Sequence, residues 1–191
     1  MGEFEDVLEV VGRRCKEQRI PMLGEEKAVF LADLVTSVSP SLIVECGTAI
    51  GYSGLWMASR LKEAGKGRMI TLELDPGRAQ EAQENFRRGG VDHVVESRVG
   101  DAKALIREIE EEVDFLLLDN DYGNYFPCFQ GIESRLVDGA TIVADNVGIG
   151  EESMADYLDH VRNDYSSETH WFDVDLPWVK RDAMEVTVYR R

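Results

Sequence analysis

The stretch Leu42–Gly54, LIVECGTAIGYSG, decides the fold of this 191-residue chain. Its opening run, LIVEC, is short, continuous and β-branched, the composition of a strand covered on both faces. Gly47 and Gly51 follow, where the backbone can turn tightly and approach a ligand, and Tyr52 to Ala64 then carries a helical pattern. Strand, glycine turn and helix in immediate succession open a βαβ unit.

Toward the C-terminus the alternation repeats. RMITLEL (68–74) precedes a helix opened by Pro76, and VVESRV (94–99) precedes AKALIREIEEE (102–112). VDFLLLD (113–119) precedes CFQGIESRL (128–136), and ATIVADN (140–146) precedes a helix from about Glu151. Five strands with intervening helices predict a parallel, doubly wound sheet. THWFDVDL (169–176) and MEVTVYRR (184–191) alternate without room for a helix between them, which predicts an antiparallel hairpin at the sheet edge. Toward the N-terminus, Phe4, Val7, Leu8 and Val11 recur at helical spacing, as do Val29, Phe30, Ala32, Leu34 and Val35, with Pro21 and Gly24 between the two helices. No repeat, low-complexity segment or linker divides the chain, so one domain over 1–191 is expected, with N-terminal helices over 1–38 and a core over 39–191.

The 21 Lys and Arg stand against 37 Asp and Glu, a formal charge of −16, which repels phosphate backbones and anionic lipid and disfavours nucleic acid or membrane as the main partner. Cys15, Cys46 and Cys128 are odd in number and widely spaced, so neither a disulfide framework nor a cysteine zinc site is indicated. The start MGEFEDVLEVVGRRC lacks an apolar h-region, and no run approaches the ~20 apolar residues that span a bilayer. A cytoplasmic protein with reduced thiols is expected.

Ligands of open α/β sheets bind at the carboxyl ends of the strands, near the point where strand order reverses. Those ends are polar here. The turn after the first strand is G-x-x-x-G, a departure from the dinucleotide fingerprint G-x-G-x-x-G, and Glu45 beside it opposes a pyrophosphate but suits an ammonium. Glu73 ends the second strand, where a carboxylate accepts from ribose hydroxyls; the plainer alternative is a surface Glu beside the Asp75-Pro76 helix start. Asp101 after Gly100 suits an adenine amino group or the N-cap of the helix from Ala102. Asp119, Asp145 and Asn146 end neighbouring strands, and two carboxylates with an amide oxygen are hard ligands suited to Mg²⁺.

With these residues in view, the chain resembles the class I S-adenosylmethionine-dependent O-methyltransferases of the catechol and caffeoyl-CoA type. The resemblance runs from about Pro21 to Arg191, through GEEKAVFLADLVTSVSPSLIVECGTAIGYSGLWMA, TLELDP, DNDYGNY, ADN and the closing hairpin. It implies a Rossmann-like seven-stranded methyltransferase fold of order 3-2-1-4-5-7-6 with an antiparallel edge strand. It further implies cofactor contacts from Glu45, Gly47, Gly51 and Ser53 near the methionine, Glu73 at the ribose, and Gly100, Asp101 and Ala102 at the adenine, with Asp119 facing both cofactor and metal. Asp119, Asp145 and Asn146 would hold Mg²⁺ or a similar divalent cation. The reaction implied is methyl transfer to a hydroxyl of a small, catechol-like or other vicinal-oxygen molecule, leaving S-adenosylhomocysteine.

In one place the chain departs from the family pattern. The strand-four loop carries Tyr122 where the family has a Lys that helps deprotonate the acceptor, and a phenol of pKa near 10 is a poor base at neutral pH. Asp119, Tyr122 and Asp121 are therefore the candidate catalytic residues, with Asp121 or the cation alone replacing the Lys. Two competing readings follow: a tRNA hydroxyuridine O-methyltransferase of the same family, disfavoured by the charge, and a non-catalytic S-adenosylmethionine-binding protein, favoured by Tyr122 but not by the retained Asp119, Asp145 and Asn146. Leu23, Tyr122, Trp171 and Trp178 are candidate acceptor walls, although aromatics at such places more often serve ordinary packing. The first helix is open to two uses, a homodimer face or a cap on the acceptor site.

Overall fold

The computed structural model describes residues 3–191. Helices α1 (Glu3–Gln18) and α2 (Glu25–Val38) precede strand β1 (Leu42–Cys46), and the chain then alternates α3 (Tyr52–Ala64), β2 (Arg68–Glu73), α4 (Pro76–Arg88), β3 (Val95–Val99), α5 (Ala102–Leu105), β4 (Val113–Leu118), α6 (Tyr125–Ile132), β5 (Leu136–Ala144) and α7 (Ala155–Asp164) before β6 (Ser166–Asp173) and β7 (Arg181–Val188). Among the described residues seven strands form one sheet in the order β3-β2-β1-β4-β5-β7-β6. Neighbours from β3 to β5 are parallel, whereas β7 runs antiparallel to both β5 and β6. The predicted edge hairpin is thus present, with its second strand inserted between β5 and its first.

Strand alternation builds two cores from one sheet. Ile43, Met69, Phe115 and Leu117 point to the face covered by α1 to α4, where they meet Val11, Leu31, Leu55 and Phe86. Val44, Ile70, Leu116 and Leu118 point to the other face and meet Phe129, Ile132, Tyr157 and Val161 of α6 and α7. All five residues of β1 are buried, because both faces are covered. The apolar stripe of α1, Val7, Val11 and Cys15, is buried within this same core, with α1 lying against α3 and α4. That face is therefore spent inside the chain. No helix among the described residues is long and apolar enough to cross a membrane.

Two predicted segments fold differently. The helix expected over 102–112 ends at Leu105 and tightens into a 3₁₀ turn over Ile106–Glu108. Ile106 and Ile109 are both buried, and a three-residue repeat brings positions i and i+3 to one side where an α-helix would splay them. The segment expected to be helical up to Leu136 stops at Ile132, and β5 begins at Leu136. Asp138-Gly139, a turn signal in sequence, lies inside that strand: Gly139 takes φ +86°, and the β4/β5 register shifts between Val113 and Phe115.

Strand order reverses between β2-β1 and β4-β5, so a crevice opens at the carboxyl ends of β1 and β4.

Candidate functional site

A cavity of about 420 Å³ occupies that crevice. Its floor is shaped by Gly47, which sits at φ +99° where a Cβ would lie 2.1 Å from the Asp119 carbonyl oxygen. Only glycine lets the loop after β1 cross the loop after β4 so closely. Beyond it the chain turns through Thr48 and Ala49, whose amide donates to Glu73 Oε2 at 2.7 Å, while the Asp75 amide donates to Glu73 Oε1 at 2.9 Å. One carboxylate thereby ties the ends of β1 and β2 together and lines the cavity. Asp101 accepts from the Lys103 amide at 3.0 Å as the cap of α5, and it also lines the cavity.

Glu45 is fully buried beneath this loop. Ser53 Oγ donates to its Oε1 and Thr71 Oγ1 to its Oε2, each at 2.5 Å. Burial pushes its carboxyl up to about 7; the Ser53 and Thr71 hydroxyls act against that rise and Glu73 adds to it. Ser53 lines the cavity and Glu45 does not. Gly51 (φ +91°) packs against Phe86, and Gly100 packs against Leu105 with its amide donating to the Glu73 carbonyl. Both shape the loops from behind the cavity wall.

The other end of the cavity is charged. Asp119 follows β4, Asp145 and Asn146 follow β5, and a third carboxylate, Asp182, arrives from β7. Lys27 of α2 reaches in among them: its Nζ lies 2.5 Å from Asp145 Oδ1 and 2.5 Å from Asp182 Oδ2. Asn146, at φ +60°, donates Nδ2 to Asp182 Oδ2 at 2.9 Å, and the Gly148 and Ile149 amides donate to Asp182 Oδ1. Burial alone lowers the Lys27 pKa, but the two carboxylates outweigh it and the ammonium is held charged. Asp145 is raised by burial and drawn back by Lys27. Asp119 is raised well above the usual carboxylate range, by burial first and then by the charge of Asp145.

Sequence-predicted residues Gly47, Ser53, Glu73, Asp101, Ala102, Asp119, Asp121, Tyr122 and Asn146 line this one cavity, and Asp145 stands just behind it. Leu23 joins Pro21 and Met22 as an apolar wall, while Trp171 is 53% exposed and stacks under Arg181, and neither it nor Trp178 lines the cavity. Tyr122 packs edge-on against Tyr125, and burial, followed by Asp182, Asp119 and Asp145, raises its phenol further. Sequence reasoning missed Lys27, Asp182 and Asn120. Lys27 lies on the stripe Lys27, Ala28, Leu31, Ala32 and Val35 that α2 buries, and a cation on an apolar stripe was a readable signal. Asp182 has no such local signal.

Whether the charged end suits a cation follows from its donors. Three carboxyl groups stand against one ammonium, so the acidic groups outnumber the cation. The Asp119 side chain makes no hydrogen bond among the described residues, and Asn120 Oδ1 beside it is buried without a partner. Among the described residues no three His, Cys, Asp or Glu side chains form an ion-holding group by themselves. The fitting set is mixed: Asp119, one oxygen of Asp145 and the amide oxygen of Asn146, with charge complementary to a divalent cation.

A family model described as a methyltransferase domain matches residues 44–147. A catechol O-methyltransferase of Niastella koreensis is 34% identical over 153 residues, covering 77% of this chain and 68% of that protein. Among solved structures, the O-methyltransferase TomG of Streptomyces achromogenes, in complex with SAM, superposes with a TM-score of 0.86 at 20% identity, covering 97% of this chain and 90% of that one. An O-methyltransferase of Bacillus cereus in complex with SAH gives 0.81 at 24% identity, covering 98% and 90%.

Proposed function

The chain belongs to the class I S-adenosylmethionine-dependent O-methyltransferases of the catechol and caffeoyl-CoA group, and from that membership we propose a divalent-cation-assisted methyl transfer to a hydroxyl of a small molecule carrying two neighbouring oxygens. The observation that carries the reading is the meeting, on one cavity, of a loop tied by Glu73 with Asp119 and Asn146, which are backed by the buried Asp145, Lys27 and Asp182 group.

The residues divide the work. Glu73 accepts from the ribose hydroxyls, Asp101 and Ala102 border the adenine, and Gly47 and Ser53 border the methionine, so the sulfonium methyl is directed toward Asp119. The S–C bond breaks as the O–C bond forms in line, and orientation supplies much of the rate. Asp119, Asp145 and Asn146 would hold the cation, which when bound lowers the pKa of a ligated hydroxyl. Tyr122 serves as a wall beside Leu23, because a phenol with a raised pKa holds its proton at neutral pH. Asp121, exposed at the cavity mouth, is the carboxylate positioned to carry the acceptor proton to solvent.

Calorimetric titration with S-adenosylhomocysteine, with and without Mg²⁺ and a panel of vicinal-diol phenols, tests this. The expected result is cofactor binding without the ion and phenol binding only with it. Cofactor binding with no ion response in any phenol titration rejects the cation and the vicinal-oxygen substrate together.

A further inference from the structure

Lys27 enters the acceptor end from α2 with its side chain 2% exposed. A buried ammonium is tolerated only when paired, and this one is paired twice. Its pairing changes what each neighbour can offer an ion. Asp119 keeps its carboxylate clear of hydrogen bonds among the described residues, whereas Asp145 has Oδ1 held at 2.5 Å by Lys27. Asp182, held on the other side of the same ammonium, takes the Asn146 Nδ2. A carboxylate accepts only, so the Asn146 amide must turn its nitrogen to Asp182, leaving its oxygen for another partner.

We propose that Lys27 is a positioning residue that sets the ion preference of this site: by occupying Asp145 Oδ1 it confines Asp145 to single-oxygen ligation, and through Asp182 it keeps the Asn146 oxygen available. Asp145 and Asn146, each limited to one oxygen, together with Asp119 suit a small octahedral ion of the Mg²⁺ type that keeps several waters. Ca²⁺ takes six to eight oxygens and gains from bidentate carboxylates, a mode that Lys27 denies it at Asp145. The inference rests on the divalent-cation reading above and adds which ion the site prefers and which residue decides it.

The test is isothermal titration of the S-adenosylhomocysteine-loaded protein with Mg²⁺ and with Ca²⁺, read as the ratio of the two affinities. Lys27→Met frees Asp145 Oδ1 and is expected to raise Ca²⁺ affinity by about tenfold or more while Mg²⁺ affinity changes less, so that the preference for Mg²⁺ shrinks. Lys27→Met with Asp182→Asn keeps the net charge of the cluster and removes the unpaired buried carboxylate, so it decides the matter even where the single variant does not fold. A double variant with a weakened Mg²⁺ preference supports denticity as the cause. A double variant that keeps the wild-type ratio, beside a wild type that binds Mg²⁺, overturns the role of Lys27 alone. A wild type that binds neither ion overturns the cation reading from which the inference starts.

Discussion

The two ends of the cavity stabilise their carboxylates by opposite means. At the cofactor end Glu45, Glu73 and Asp101 accept from neutral groups: the Ser53 and Thr71 hydroxyls and the Ala49, Asp75 and Lys103 amides. At the acceptor end Asp145 and Asp182 are paired with the Lys27 charge, and Asp119 is left with no donor among the described residues. The first end is preformed, because neutral donors satisfy it before any ligand arrives. The second leaves Asp119 unpaired, and ionising a buried carboxyl without a partner is costly until a cation relieves it. At Glu73 and Asp101 fold stability and ligand binding are therefore aligned, and at the second end they are opposed.

Asp119→Asn tests that opposition most severely. Removing one preorganised electrostatic group typically costs about 10²–10³-fold in rate, and a loss of that size in kcat is expected here. The same variant removes the repulsion between Asp119 and Asp145, so the ligand-free protein should melt at a higher temperature than wild type. A variant that is inactive and also less stable would show that the acceptor end is as preformed as the cofactor end.

Glu45 provides the matching test at the cofactor end, through pH. Its folded pKa, about 7, stands above the ordinary 4.5. Between those values the native state keeps a proton that the unfolded chain has released, so stability falls as pH rises through the window and the cost is complete above about 7. The difference corresponds to roughly 3 kcal/mol as an order of magnitude. Glu45→Gln cannot ionise, and its denaturant midpoint should move less between pH 5 and pH 8 than that of the wild type. Parallel pH dependences in the two proteins would mean that Ser53 and Thr71 satisfy the ionised form fully.

Glu73→Ala removes both loop ties, and hydrogen bonds to a charged group are worth about 1.5–3 kcal/mol. Cofactor affinity should fall about 10- to 100-fold, with Mg²⁺ affinity in the loaded protein much less affected. An equal loss of both would show that the loop between β1 and α3 couples the two ends, with the crossing of Gly47 over Asp119 as the point of contact.

The same contrast explains what the sequence made legible. The cofactor end is local: each strand end carries its polar residue within a few positions of its glycine or helix cap, and strand period and turn chemistry locate Glu73, Asp101 and Gly47 without knowledge of the fold. The seven-strand order came through resemblance, since nothing in MEVTVYRR says that it pairs with β5 as well as with β6. The acceptor end joins residues from four separated segments, and Lys27 meets Asp182 across 155 positions. The helical stripe of α2 marks Lys27 as buried but names no partner, and Asp182 is one alternating residue in an ordinary strand. From sequence Glu45, beside the glycine turn, is expected to face the ligand. The structure shows that alternation along β1 had already directed it beneath the loop, toward Ser53 and Thr71.

The smallest expected effect separates charge from packing at the acceptor end. Tyr122 stands where the family resemblance implies a Lys, so a lost base and a replaced base are the two states to separate. Burial and then Asp182, Asp119 and Asp145 all raise the phenol pKa, and only Lys27 acts the other way. A general base contributes about 10²–10⁴-fold when positioned and deprotonated, but a phenol made less acidic than usual is almost wholly protonated at neutral pH. Tyr122→Phe keeps the ring against Tyr125 and Gly150 and removes only the hydroxyl. Its kcat should stay within about threefold of wild type, with the pH–rate profile unmoved. A hundredfold loss together with a shifted basic limb would make Tyr122 the replaced base, and the negative cluster around it would then have to release a proton that its own field holds in place.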